Sequence, residues 1–242
     1  VFNRQIAASL LDYRIDRLEK AKQKASVYGY QGAMYPWESD DTGEEATPSW
    51  ALTGTFEHHI TADIGIALWN YFRVTHDTAW LRSKAYPVLN EIAAFWVSRA
   101  EKNTDGSWSV NNVVGANEFA PNVNDNAFTN GSVITVLKYA AKAASALGMQ
   151  YDKLWDEVSG NLRILKMENG ITREHAEYNG EIIKQADVNL LSYPLEVITD
   201  RDQVKSDLEY YEPRIAPEGP AMSHSILSIL YARMGEAEKA FR

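Results

Sequence analysis

Apolar residues recur at helical spacing along nearly the whole chain, and the helical runs alternate with loops of very unequal length. Ile60, Ile64, Ala67, Leu68 and Tyr71 share one stripe, and Leu81, Val88, Ile92, Phe95 and Trp96 share another. The spacing predicts helices over 3–27 (closed at Gly29), 54–75, 78–102, 129–147 (closed by Gly148), 151–165, 185–193, 201–211 and 221–234. Thr129 is the expected N-cap of the fourth. The run SWSVNNVV at 107–114 suits a short strand, and turn signals in 167–183 suit a small hairpin. The irregular stretches 30–53, 104–128 and 167–184 are unusually long for a compact domain, where such loops usually carry function. Tight turns alternating with long loops are what a toroid of helical hairpins needs. No 34- or 40-residue repeat argues for a solenoid instead.

Composition narrows the classes. With 242 residues, 45% hydrophobic and 24% charged, the chain can bury one large core, and it is read as a single helical domain over 1–242. A net charge of −9 without a basic stripe argues against nucleic acid as a partner. No apolar run approaches the length of a membrane span. The opening VFNRQIAASLLDYRIDRLEKA reads as a helix already under way, so a piece of a longer protein is expected. The absence of cysteine excludes disulfides and thiolate metal sites. Seven Trp, 13 Tyr and 7 Phe suit sugar binding, because aromatic faces cover the C–H faces of pyranoses; core packing accounts for them as well.

Chemistry is concentrated in the loops. In GYQGAMYPWESDDTGEEATPSW, Pro36 holds Tyr35 extended, and Trp37 stands directly before Glu38, Ser39, Asp40 and Asp41. A ring beside carboxylates can grip a sugar through its apolar face and its vicinal hydroxyls. A solvated acidic loop is the competing reading. In VVGANEFAPNVNDNAF, Glu118 lies among amides and apolar residues with few charges. A carboxyl so placed is expected to hold its proton near neutral pH, as a general acid must. A surface glutamate would look the same. Lys184, Gln185 and Asp187 open an apolar stretch, where Lys and Gln could bracket adjacent hydroxyls or simply start a helix. His59 and Asp63 fall one helical turn apart and are expected to bond, but no HExxH-like arrangement converges on a metal, so neither metal nor cofactor is expected. There is no GxSxG, GxxxxGK[ST] or GxGxxG.

In order along the chain, GYQGAMYPWESDDTGEE, EHHITADIGIALWNYFRVTHD, VVGANEFAPNVNDNAFTN and KQADVNLLSYPL resemble four motifs of glycoside hydrolase family 65. That family holds maltose, trehalose and kojibiose phosphorylases, acid trehalases and the glucosylgalactosyl-hydroxylysine glucosidase. The resemblance implies an all-α, (α/α)6 barrel, with Glu118 as general acid. Trp37, Glu38, Lys184 and Gln185 would hold the glucose under attack, with His59 and Asp63 beside that pocket. One departure stands out: the family usually has Asp before the acid, where this chain has Asn117.

The chemistry implied is inverting cleavage of an α-glucoside, which needs carboxyls roughly 6.5–9.5 Å apart to admit a water molecule. In the family's hydrolases the base is a glutamate well beyond the Lys-Gln-Ala-Asp segment, so it is expected beyond Arg242, and the twelve-helix barrel is expected to be incomplete in this chain. PEGPAMSHS is more like the hydrolase version of its region than the Ser-Ser-Leu-Ser of phosphorylases, which favours hydrolysis over phosphorolysis to β-glucose 1-phosphate. A decayed, non-catalytic sugar-binding scaffold is the reading from a different class. The expected partner is a small α-glucoside; a homodimer and the compartment are left open.

Overall fold

The computed structural model describes residues 3–241 and is mostly helical, with little strand and long irregular loops. It forms two compact units, one made of the residues up to Trp108 together with Ser132–Leu162, the other of Ser109–Gly131 and the residues from Arg163 onward.

In the first unit, α1 (Arg4–Ile15) starts at Asn3, whose side chain accepts from the amides of Gln5 and Ile6. The single first helix expected is two, because α2 (Leu18–Val27) follows a break at Asp16–Arg17. Arg17 leaves helical geometry there, and its guanidinium donates to the carbonyls of Tyr13 and Asp41. The next helix also begins later than expected. After the single turn α3 (Thr53–Phe56), Glu57 steps out with ψ of 76°, and α4 (His59–Thr75) follows. It buries Ile64, Leu68 and Tyr71 as expected, but Ala67 is exposed; the buried stripe widens instead through Ala62, Gly65 and Trp69.

The third expected helix is α5 (Thr78–Trp80), a π-helical turn Leu81–Ala85, and α6 (Tyr86–Arg99). Pro87 explains the interruption: it has no N–H to give, and its ring crowds the carbonyl four residues earlier, so the turn widens. Leu81, Val88, Ile92, Phe95 and Trp96 are fully buried and form the centre of this unit's core. Gly32 lays the long loop against α6, since a Cβ there would stand 2.1 Å from the Glu91 carbonyl oxygen, and Ala33 N–H donates to that same oxygen at 3.0 Å. Strands β1 (Glu101–Lys102) and β2 (Trp108–Ser109) form a minimal ribbon, and α7 (Ala127–Ala146) and α8 (Leu154–Asn161) come next in the chain. The cap of α7 is Asn126, which accepts from Thr129 N–H at 2.8 Å; Thr129 itself lies inside the helix, contrary to expectation.

In the second unit the expected hairpin shrinks to one antiparallel bridge, Lys166 to Thr172. The expected helix 185–193 is only a 3-10 turn, Val188–Leu191, because Pro194 disfavours helical geometry at Tyr193. Helices α9 (Arg201–Tyr211) and α10 (Met222–Met234) match expectation closely, and α11 (Ala237–Phe241) follows Gly235, which sits at φ of 80°. Among the described residues, no helix is long and apolar enough to cross a membrane.

Candidate active site

Within the first unit the fold brings Trp37, His59 and Asp63 together. The Trp37 ring meets the His59 imidazole edge to face, with centroids 5.4 Å apart. His59 Nδ1 lies 2.8 Å from Asp63 Oδ2 and Nε2 lies 3.0 Å from Glu57 Oε1. Burial opposes a charge on this imidazole, but Asp63 and then Glu57 together outweigh it and raise the pKa to about 10, so His59 is a cation at neutral pH. Its neighbour is the opposite case. Burial first, then Arg99, pulls His58 down to about 3, and it stays neutral, with Nε2 2.8 Å from the Thr55 carbonyl oxygen.

The loop carrying Trp37 and Glu38 is shaped by Glu45, whose carboxylate accepts from both of their backbone amides (2.9 and 3.0 Å) and pairs with Lys24. Asp40 folds the tip by accepting from the amides of Thr42 and Glu44. These acids build the loop, while the Glu38 residue is exposed. Asp40 and Glu45 thus serve to shape the loop, while Trp37 is half-buried beside the exposed Glu38.

Within the second unit the fold brings together Glu118, Lys184 and Gln185. Val113 and Val123 exchange backbone hydrogen bonds (3.0 and 2.9 Å), closing a loop with Glu118 near its tip. Asn117 tightens that tip by accepting from Phe119 N–H at 3.2 Å. Lys184 is pinned from two sides. Ile183 pairs in parallel with Ile215, and Lys184 N–H donates to Asn117 Oδ1 at 2.8 Å. The Lys184 carbonyl rests against Gly219, where an added Cβ would approach it to 2.2 Å, which gives the glycine of PEGPAMSHS its purpose. Gln185 is buried and its amide donates to the Ala116 carbonyl, so in this structure it braces the Glu118 loop.

The surroundings of Glu118 differ from the semi-apolar ones expected. Its Oε2 lies 2.9 Å from the Lys184 ammonium, and a quarter of its side chain is exposed. The sequence run is poor in charge, but the fold imports a cation from a segment more than sixty residues away.

Two buried acids in contact with the candidate residues or their neighbours, Glu57 and Glu174, are absent from the sequence-based expectations. Glu57 pairs with His59, and an acid two residues before that histidine is a legible signal in the sequence. Glu174, in the turn-rich segment 167–183, gave none, since its neighbours Arg173 and His175 make it look like a surface residue. It is fully buried and accepts from Asn117 Nδ2 at 2.8 Å. Burial first, then the charge of Asp187, raises its pKa to about 9.

The profile of the glycosyl hydrolase family 65 central catalytic domain matches residues 1–181 and 172–242. The chain belongs to family 65. A kojibiose hydrolase of Flavobacterium johnsoniae is 49% identical over 98% of this chain and 35% of its own length. A kojibiose phosphorylase of Caldanaerobacter subterraneus is 30% identical over 98% of this chain and 38% of its own. The family 65 fold is seen in a solved structure assigned as a kojibiose phosphorylase from the human microbiome, with a TM-score of 0.85 and 23% identity, over 98% of this chain and 41% of the other. The mostly helical chain thus has the fold of part of this family's (α/α)6 catalytic domain, as the motifs implied. The chain spans about a third of the length of its curated kojibiose hydrolase relatives (35% and 36%).

Proposed function

We propose that the whole protein is an inverting glycoside hydrolase that cleaves the α-glucosidic bond of kojibiose or a closely related α-glucoside. The observation that carries this reading is the kojibiose hydrolase 49% identical over 98% of the chain, with Glu118 on the motif that holds the family's acid. Glu118 gives its proton to the glycosidic oxygen as the bond from that oxygen to the anomeric carbon breaks. Water attacks the same carbon from the opposite face and surrenders a proton to a second carboxylate of the whole protein. A general acid must be protonated when it acts, so the Lys184 contact opens as substrate enters and the ammonium turns to a sugar hydroxyl. In the first unit, Trp37 and Glu38 lie on a family motif whose aromatic face and carboxylate suit the apolar face and hydroxyls of a sugar.

Phosphorolysis is the second reading, supported by the 30%-identical kojibiose phosphorylase. The lower identity and the PEGPAMSHS segment favour hydrolysis. The test is product analysis of the whole protein on kojibiose, trehalose, nigerose and maltose, with and without inorganic phosphate. Free glucose from kojibiose in phosphate-free buffer is the expected result. Turnover only with phosphate would replace this reading with the second, and no turnover of any of the four would defeat both.

A further inference from the structure

We propose that Glu174 is a positioning residue, a buried carboxylic acid that acts through Asn117 to keep Glu118 and Lys184 in register. The inference deepens the proposed function and rests on its reading of Glu118 as the acid. Asn117 is the hinge pin of the arrangement. Its Oδ1 accepts from Lys184 N–H at 2.8 Å and from Phe119 N–H at 3.2 Å, so two backbone donors fix which way the amide points. Nδ2 must then face Glu174, and it donates to Oε1 at 2.8 Å. One side chain therefore ties together the residues flanking Glu118, the backbone of Lys184 and a buried acid.

The surrounding donors are unevenly shared. Asp187 accepts from Asn126 Nδ2 at 2.9 Å, from Phe128 N–H at 3.2 Å and from Asn117 N–H at 3.4 Å. Glu174 Oε1 accepts from Asn117 Nδ2, and Oε2 is buried with no hydrogen-bond partner among the described residues. The backbone of Glu174 is held as well, its carbonyl accepting from Ala127 N–H at 2.7 Å. Two buried carboxyls in one cluster cannot both carry charge at low cost, and the donors gather on Asp187. Glu174 is the neutral member. The titratable groups that face it are Asp187, Glu181, Tyr178 and Tyr211. With its pKa raised to about 9, it ionises only in alkaline solution, where a second buried anion repels the Asp187 carboxylate and strains the cluster even as its own bond from Asn117 strengthens.

The test compares the whole wild-type protein with Glu174→Gln and Glu174→Ala in kojibiose hydrolysis across pH 6 to about 10.5, alongside hydrogen exchange at the Phe119 and Lys184 amides. Glu174→Gln keeps an acceptor for Asn117 and can never ionise. It is expected to retain turnover within about threefold at pH 7 and to lose only the further decline above pH about 9, the part that adds to the loss from deprotonating the acid Glu118. Glu174→Ala removes the support and is expected to lower kcat/KM on the order of 100-fold, as small misplacements of catalytic groups do, with faster exchange at both amides. Equal losses in the two variants at pH 7, or an unchanged alkaline decline in Glu174→Gln, would overturn the proposal. If Glu174→Ala does not fold, the Glu174→Gln profile decides alone. If the wild type cleaves no α-glucoside, the function reading fails by itself and exchange still decides: protection kept in Glu174→Gln and lost in Glu174→Ala supports Glu174, and equal protection in all three proteins refutes it.

Discussion

Glu118→Gln is expected to lower kcat for kojibiose on the order of 10³-fold while sugar binding changes by less than about threefold. Glutamine has nearly the shape of glutamic acid and still presents an oxygen to the Lys184 ammonium, which in the wild type lies 2.9 Å from Oε2. What it lacks is a transferable proton. The loss should therefore fall on bond cleavage, where the leaving oxygen departs as an alkoxide unless it is protonated. A leaving group that needs no proton separates this from a general loss of the site. With α-glucosyl fluoride the variant should recover most of the wild-type rate. Turnover of kojibiose within tenfold of wild type, or an equal loss on both substrates, would remove Glu118 from the acid's role.

His59→Phe is expected to destabilise the protein by about 3–5 kcal/mol, the usual cost of breaking a buried ion pair by removing one partner. The side chain is only 6% exposed, and that of Glu57, which it faces, is not exposed at all. Phenylalanine fills much of the volume and keeps an edge for Trp37, so the loss isolates the charge from the packing. The pH dependence has a definite sign. The folded protein raises this histidine from its ordinary 6.5 to about 10, so its stabilisation is complete below pH about 6.5 and is lost as pH rises through about 10. Chemical denaturation of wild type and variant at pH 6, 8 and 10 checks both claims, with the gap between them narrowing toward pH 10. Replacing Glu57 with leucine in the same background should recover part of the loss, since no buried anion is then left behind. A gap below about 1 kcal/mol at pH 6 would contradict the ion-pair account.

What the sequence made legible and what it hid have separate physical causes. Strong 3.6-residue periodicity located α6, α9 and α10, because a helix that buries one face must repeat its apolar residues at that period. Boundaries failed where a single side chain outcompeted propensity: Arg17 drawing the chain out of α1, Pro87 widening a turn before α6, and Asn126 taking the cap from Thr129. The candidate residues of the site were found through motifs, and the pairing of His59 with Asp63 followed from spacing alone. The environment of Glu118 was not legible, since the Lys184 ammonium and the Glu174 carboxyl arrive from segments distant in sequence. Burial of a lone acid such as Glu174 is a property of the fold, and nothing in its neighbours announces it.

The Asn117 departure also takes on a physical meaning. An aspartate at that position could not donate to Glu174 unless one of the two carried the proton between them. The asparagine supplies that donor itself and leaves Asp187 as the anion of the cluster.

The most direct test of the central claim is the anomeric configuration of the glucose first released from kojibiose, followed by proton NMR before mutarotation. Each cleavage frees the reducing-end glucose as the anomeric mixture it already had and the glucosyl half as a single anomer, so inversion by an acid at Glu118 and a water on the opposite face predicts an early excess of β-glucose over that mixture in phosphate-free buffer. An early excess of α-glucose would mean a retaining mechanism, and the account given for Glu118 would be wrong.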